Sequence, residues 1–296
     1  MKPNNPFLIS GYYSPEYFCN RERETQTITD ALYNGRNLTL IAPRRMGKTG
    51  LIKHVFHRLK EQQADIVTLY MDIYSTQNLG DFVRLLANTV LGQLDSAPQK
   101  ALSRVSQFIK SCRPVFTFDE LTGVPKVTIE IAPAAEETTL KEIFDYLKSS
   151  DKRCYIAIDE FQQIAKYPEK NIEAQLRTHI QKLRNCNFIF AGSERHMMQE
   201  MFASAARPFY HSADMLELKA IPAEIYIPFI VGHFERRNRS IAAVDVEKVY
   251  ALFQGHTYYI QKTFNESFAD TPEGDECTLE TIRAAIDNMI ASNDTI

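Results

Sequence analysis

Apolar and polar positions along the 296-residue chain change period several times, and each change marks an element. Over 22–33, Ile28 and Leu32 share a helical face, and Asn34-Gly35 predicts where that helix stops. Residues 37–42 predict a short apolar strand. From 48 to 62, Leu51, Ile52, Val55 and Leu59 recur at helical spacing. "DIVTLYMDIY", 65–74, predicts a second strand, and 79–94 and 98–111 predict helices. The period switches again over 114–131, where two strand-like runs flank Thr122-Gly123 and predict a hairpin. Leu140, Ile143, Phe144 and Leu147 then predict a helix over 138–147. "CYIAIDE", 154–160, predicts a buried strand ending in two acids. A helix over 171–184, a strand over 187–192, a short helix over 194–203 and a strand over 214–219 complete the series.

Strands that alternate with helices predict a parallel α/β sheet. After Lys219 only helices are expected: 223–236, 243–253, 258–268 and 279–292. The change near Ile221-Pro222 predicts two domains, an α/β core over 1–219 and a helical domain over 220–296. Residues 1–20, rich in Pro, Asn and Tyr, read as an extended lead-in.

Charge and cysteine content narrow the function. The net charge of −3 gives no bulk basic field, so DNA binding finds no support in the composition. Cys19, Cys112, Cys154, Cys186 and Cys277 are scattered and form no C-x-x-C pair, which reads as reduced thiols. The first residues lack an apolar signal core, and no apolar run reaches membrane-span length. The expectation is a cytoplasmic protein without a membrane segment.

The chemistry concentrates at "APRRMGKTG", 42–50, between the first strand and the next helix. A tight loop ending Gly47-Lys48-Thr49 at a helix start directs backbone amides at one point, which suits phosphate. Pro43, Arg44, Arg45, Met46, Gly47, Lys48, Thr49 and Gly50 are the candidate nucleotide-binding residues. Lys48 would reach the β- and γ-phosphates, and the Thr49 hydroxyl would ligate Mg²⁺. The strict eight-residue pattern fails at its first glycine, where Ala42 stands, and a basic helix start is the plain alternative. Asp159 and Glu160 end an apolar strand, where open α/β sheets bind ligands. Asp159 would hold Mg²⁺ and Glu160 would orient the attacking water; capping of the next helix is the alternative. His54 and His57 read as a packed or solvated pair, and "ERRNR", 235–239, as a solvated helix end.

Four stretches together resemble the archaeal-type ATPases of the AAA+/STAND group: "FCNRERE" (18–24), "APRRMGKTGLI" (42–52), "IDEFQQI" (158–164) and "FAGSERHMM…MF" (190–202). "GHTYYIQ", 255–261, extends the similarity into the helical region. The resemblance implies a three-layer P-loop NTPase core with strand order 5-1-4-3-2, a helical lid, and Mg-ATP held between them. It implies that Arg21 lies near the adenine and that Ser193 holds the sensor position beside the γ-phosphate. Relatives usually have glycine where Asn20 stands. They often carry an arginine shortly after the "PFY" stretch, where this chain has "PFYHS". Arg207, just before it, is the candidate arginine finger or a surface charge.

The function these readings favour is Mg-ATP hydrolysis driving a change between core and lid. Rivals are a low-turnover nucleotide switch acting through a homo-oligomer or protein partner, a DNA-associated ATPase, and a small-molecule kinase.

Overall fold

A computed structural model describes residues 3–63, 65–94, 110–118, 125–132 and 134–293. The five long-range strands are β1 (Leu38–Ile41), β2 (Ile66–Asp72), β5 (Arg153–Asp159), β6 (Cys186–Gly192) and β7 (Asp214–Glu217). They form one parallel sheet in the order β2-β5-β6-β1-β7. Counting only these five in chain order, the sheet reads 5-1-4-3-2 from the β7 edge, as the resemblance implied. β1 and β6 are buried along their whole length and β5 is exposed only at Arg153. Strands covered on both faces need near-continuous apolar sequence rather than alternation, which is why "CYIAI" and "CNFIFAG" have no polar face. Only β7, at the edge, is largely exposed.

Helix α1 (Glu22–Tyr33) leads into β1, and α2 (Lys48–Gln62), α3 (Leu79–Leu94), α4 (Glu136–Ser149), α5 (Ile172–Ile180) and α6 (Arg195–Ala203) lie between successive strands. The expected helix at 171–184 is shorter, and a 3-10 turn over Phe161–Lys166 adds an element that periodicity did not announce. β3 (Cys112–Phe118) and β4 (Pro125–Ile131) pair antiparallel, so the expected hairpin is present; its Thr122-Gly123 turn lies outside the described residues. The helix expected over 98–111 lies almost wholly outside them too.

The chain divides into two compact units. The unit of Thr27–Ile41 and Phe56–Glu217 carries the sheet. Its core includes a cluster of phenylalanines: Phe161, Phe190, Phe202 and Phe209, each at most 1 % exposed. Phe161 meets Phe190 at 4.6 Å and Phe209 edge-on at 5.3 Å between ring centroids.

The other unit comprises Met1–Gln26, Ala42–Val55 and Leu218–Ile296. Its helices are α7 (Ala223–Glu235), α8 (Ala243–Leu252), α9 (Thr257–Ala269) and α10 (Leu279–Asn293). Helices alone were expected here, but Ser240–Ile241 (β8) and Glu276–Cys277 (β9) pair as a short parallel bridge. Two-residue strands are too short to leave a period in the sequence. Among the described residues no helix is long and apolar enough to cross a membrane.

Among the described residues, those before Pro15, expected as an extended lead-in, carry no helix or strand but supply core contacts to this unit. Phe7 is fully buried among Phe234, Phe264, Phe268 and His233. Asn5 donates to the Asn265 carbonyl at 2.7 Å, and Asn265 donates back to the Phe7 carbonyl at 2.6 Å. Arg237 donates to the Pro3 carbonyl at 3.1 Å. An N-terminal aromatic thus completes the core of a helical region more than two hundred residues away.

Phe7→Ala should therefore destabilise this unit by about 3–5 kcal/mol, the cost of emptying a buried phenyl site, in a denaturant titration. His233 supplies a pH test. It is 2 % exposed, stacked on Tyr17 and set edge-on to Phe229. Burial, aided by the charges of Arg236 and Arg237, pushes its imidazole from the ordinary 6.5 down to about 4. The folded value lies below the unfolded one, so the fold keeps the ring neutral. Its contribution is whole above pH 6.5 and is lost as the pH falls toward 4. Over that window His233 alone should take away up to about 1.4 kcal/mol per pH unit, a slope that His233→Phe should remove.

Candidate active site

The phosphate loop connects β1 to α2, which begins at Lys48. A helix start presents first-turn amides without intrahelical acceptors, the arrangement that binds anions. Leu51 N–H closes the first helical bond to the Gly47 carbonyl at 2.9 Å. Gly47 has φ +91°, a conformation that a side chain would strain, and Arg45 takes φ +65° without that freedom. Pro43, Arg44 and Arg45 are exposed, Gly47, Thr49 and Gly50 are half-buried, and Met46 and Lys48 are buried.

Three contacts within this unit fix the loop. Arg21, 5 % exposed, reaches the Met46 carbonyl at 3.5 Å and donates to the Lys219 carbonyl at 2.6 Å and to Glu24 at 3.0 Å. The guanidinium expected near the base is thus bonded to the loop's own backbone. The Arg45 guanidinium lies 4.3 Å from the Tyr258 ring centroid, within cation–π range. Burial pushes the His256 imidazole below its ordinary value, opposed by a hydrogen bond to the Arg44 backbone. "GHTYYIQ" therefore meets the phosphate loop through two side chains, His256 and Tyr258. His54, on the first turns of α2, stacks on Phe18 at 4.4 Å and shares a hydrogen bond with the Tyr12 hydroxyl at 3.1 Å.

Asn20 and Arg21 sit at φ +46° and +64°. Left-handed backbone favours glycine, and asparagine is among the side-chain-bearing residues that adopt it most readily. The Asn20 side chain also accepts from the Glu22 amide at 3.2 Å, at the start of α1.

The acidic cluster belongs to the sheet-bearing unit. β5 carries Asp159, 2 % exposed, as its last residue. One Asp159 oxygen accepts from the Tyr70 hydroxyl of β2 at 2.9 Å, and the other accepts from the Glu160 amide at 3.0 Å. Glu160 turns left-handed, φ +57° and ψ +40°, and Phe161 then enters the phenylalanine cluster. A non-glycine residue held in this region marks local strain of the kind found at functional sites. Ser193 follows β6, whose last residue Gly192 pairs in register with Ile41 of β1. Its hydroxyl donates to Glu160 Oε2 at 2.6 Å, and Gln162 Nε2 donates to the same oxygen at 2.6 Å.

The sheet thus brings together Asp159, Glu160 and Ser193. Tyr70 and Gln162 join them, and sequence reasoning did not single out either. Gln162 stood in the quoted "IDEFQQI", and Tyr70 interrupts an apolar run; both signals are faint. Arg207 is engaged at Glu173, 2.6 Å, and Glu200, 3.4 Å. Burial pushes the Glu173 carboxyl above its ordinary value, and Arg207 pulls it back.

Among the described residues no group of three or more His, Cys, Asp or Glu side chains is placed to hold a metal. Taken singly, the Asp159 carboxylate and the Thr49 hydroxyl are each a hard oxygen donor of the kind Mg²⁺ takes, one or two from protein with the rest of its shell from phosphate and water.

A family model described as an ATPase domain predominantly from Archaea matches residues 18–263. No curated protein sequence matches. Among solved structures, the fold is similar to a Walker-type ATPase of Pyrococcus abyssi, with TM-score 0.67 and 17 % identity over 98 % of this chain and 79 % of that one. It is also similar to the ORC1 protein of Aeropyrum pernix in complex with DNA, with TM-score 0.67 and 12 % identity over 97 % and 69 %. The ORC2 protein of the same organism, in ADPNP–ADP complexes, gives TM-score 0.63 and 15 % identity over 96 % and 72 %. The family match runs across the phosphate loop, both acids and Ser193, so the chain belongs to the archaeal-type ATPase family and is a P-loop, ATP-hydrolysing enzyme.

Proposed function

We propose that Lys48, Thr49, Asp159, Glu160 and Ser193 carry the hydrolysis. The observation that supports this most is the Glu160 carboxylate, held by two donors at the end of a buried parallel strand beside Asp159. Lys48 and the loop amides bind the phosphates and offset the charge that builds on them during in-line attack. Thr49 and Asp159 would hold Mg²⁺, and the ion would supply positive charge to offset that on the phosphate oxygens. Glu160 orients the attacking water and accepts its proton. Ser193 keeps Glu160 in place and reports on the γ-phosphate. Arg21 acts on the nucleotide pocket indirectly, by fixing the loop at Met46.

Nucleotide turnover then changes the arrangement of an α/β domain, 1–219, and a helical domain, 220–296. Contacts of Arg44 and Arg45 with His256 and Tyr258 give the loop a direct connection to α9 and the residue before it.

A low-turnover switch is the second reading, and the Arg207–Glu173 pair favours it. An arginine already neutralised by two carboxylates is not available to a phosphate without breaking a 2.6 Å bond. A second copy of the chain would then have to supply the arginine.

Phosphate release from Mg-ATP should drop by about a hundredfold or more in Lys48→Ala and in Glu160→Gln, with ATP binding kept in the second. Turnover surviving both substitutions would remove these residues from the mechanism. Turnover per chain should rise with protein concentration if a second copy contributes. Arg207→Ala should then leave turnover within about twofold while lowering the melting temperature.

A further inference from the structure

Gln162 lies in the 3-10 turn two residues after Glu160 and is 2 % exposed. Its Nε2 is 2.6 Å from Glu160 Oε2 and 3.4 Å from Ser193 Oγ. The Ser193 proton is committed to the same Glu160 oxygen. A carboxylate only accepts, so the amide has to turn its NH₂ toward both neighbours. That orientation leaves Gln162 Oε1 buried without a hydrogen-bond partner, a condition buried amides normally avoid. Gly192 provides the space. A Cβ there would come within 2.4 Å of Gln162 Oε1 and 2.5 Å of Met198 Sδ.

Filling space does not account for this arrangement. An unbranched apolar side chain of the same length would occupy the site with no orphaned acceptor. The amide's donors are what the position gains. The backbone at Glu160 is strained, and a free carboxylate there could leave its orientation by a χ rotation.

We propose that Gln162 is a positioning residue for hydrolysis. With Ser193 it pins one oxygen of Glu160, so that the carboxylate keeps a single orientation toward the attacking water. Gly192 is required because it accommodates the amide that does so. The inference rests on Glu160 as the water-activating group, proposed above.

The test is steady-state phosphate release by the full chain carrying Gln162→Ala, Gln162→Met, Gly192→Ala or Glu160→Gln, with ATP binding and thermal melting measured beside it. Gln162→Met keeps the length and removes the donors. Both Gln162 variants should lower kcat by about 10- to 100-fold with KM for Mg-ATP within about twofold, since small misplacements of a catalytic group cost this much. Gly192→Ala should lower kcat in the same way. Gln162→Met added to Glu160→Gln should lose nothing further, because the group it positions is already disabled. A Gln162→Met enzyme with wild-type kcat would show that the amide only fills space and overturn the proposal. So would a loss confined to KM, or an equal loss with and without Glu160. If Glu160→Gln itself leaves turnover unchanged, it is the role of Glu160 that fails, a result distinguishable from all of these.

Discussion

Burial of Phe161 is the contact on which the acidic end of β5 depends. The strand delivers Asp159 and Glu160 to its C-terminal end, and the chain then has to turn at once. A left-handed residue without glycine's freedom is costly, by about 1 kcal/mol or more. Phe161 offsets that cost by inserting a full ring among Phe190, Phe202 and Phe209. The turn is thereby fixed from behind by apolar packing and in front by hydrogen bonds to Glu160. Stability and chemistry meet at adjacent residues, and neither can shift without the other.

The phosphate loop solves the same problem differently. It too bends through left-handed backbone, at Arg45 and Gly47. Polar and cation–π contacts hold it, from Arg21 and the Tyr258 ring. Contacts of this kind are weaker and more easily exchanged than a buried phenyl ring.

Much of this was legible in the chain. Continuous apolar runs announced β5 and β6 because strands covered on both faces tolerate no polar side. Gly47-Lys48-Thr49 and Asp159-Glu160 were readable because each stands where an apolar strand gives way to the next element, one pair of elements joined by a basic loop at a helix start and the other by two acids at a strand end. The left-handed backbone at Asn20 could not be read from the sequence, because asparagine adopts several backbone conformations. Elements of two residues, such as β8 and β9, left no trace because a period needs several repeats.

The order of strands and helices, the loop and the acids were therefore determined by the sequence, through periodicity and through the residue types placed where elements end. Tertiary structure alone decided which distant groups meet. It placed Phe7 in the core around α7 and α9, gave Asp159 the Tyr70 hydroxyl, committed Arg207 to Glu173, and turned Gln162 toward Glu160. The reason is physical. A helix or strand is specified by neighbours along the chain. A hydrogen-bond partner or a ring in a core is specified by distance in space, and residues 7 and 264, or 70 and 159, carry no mutual mark in a single sequence.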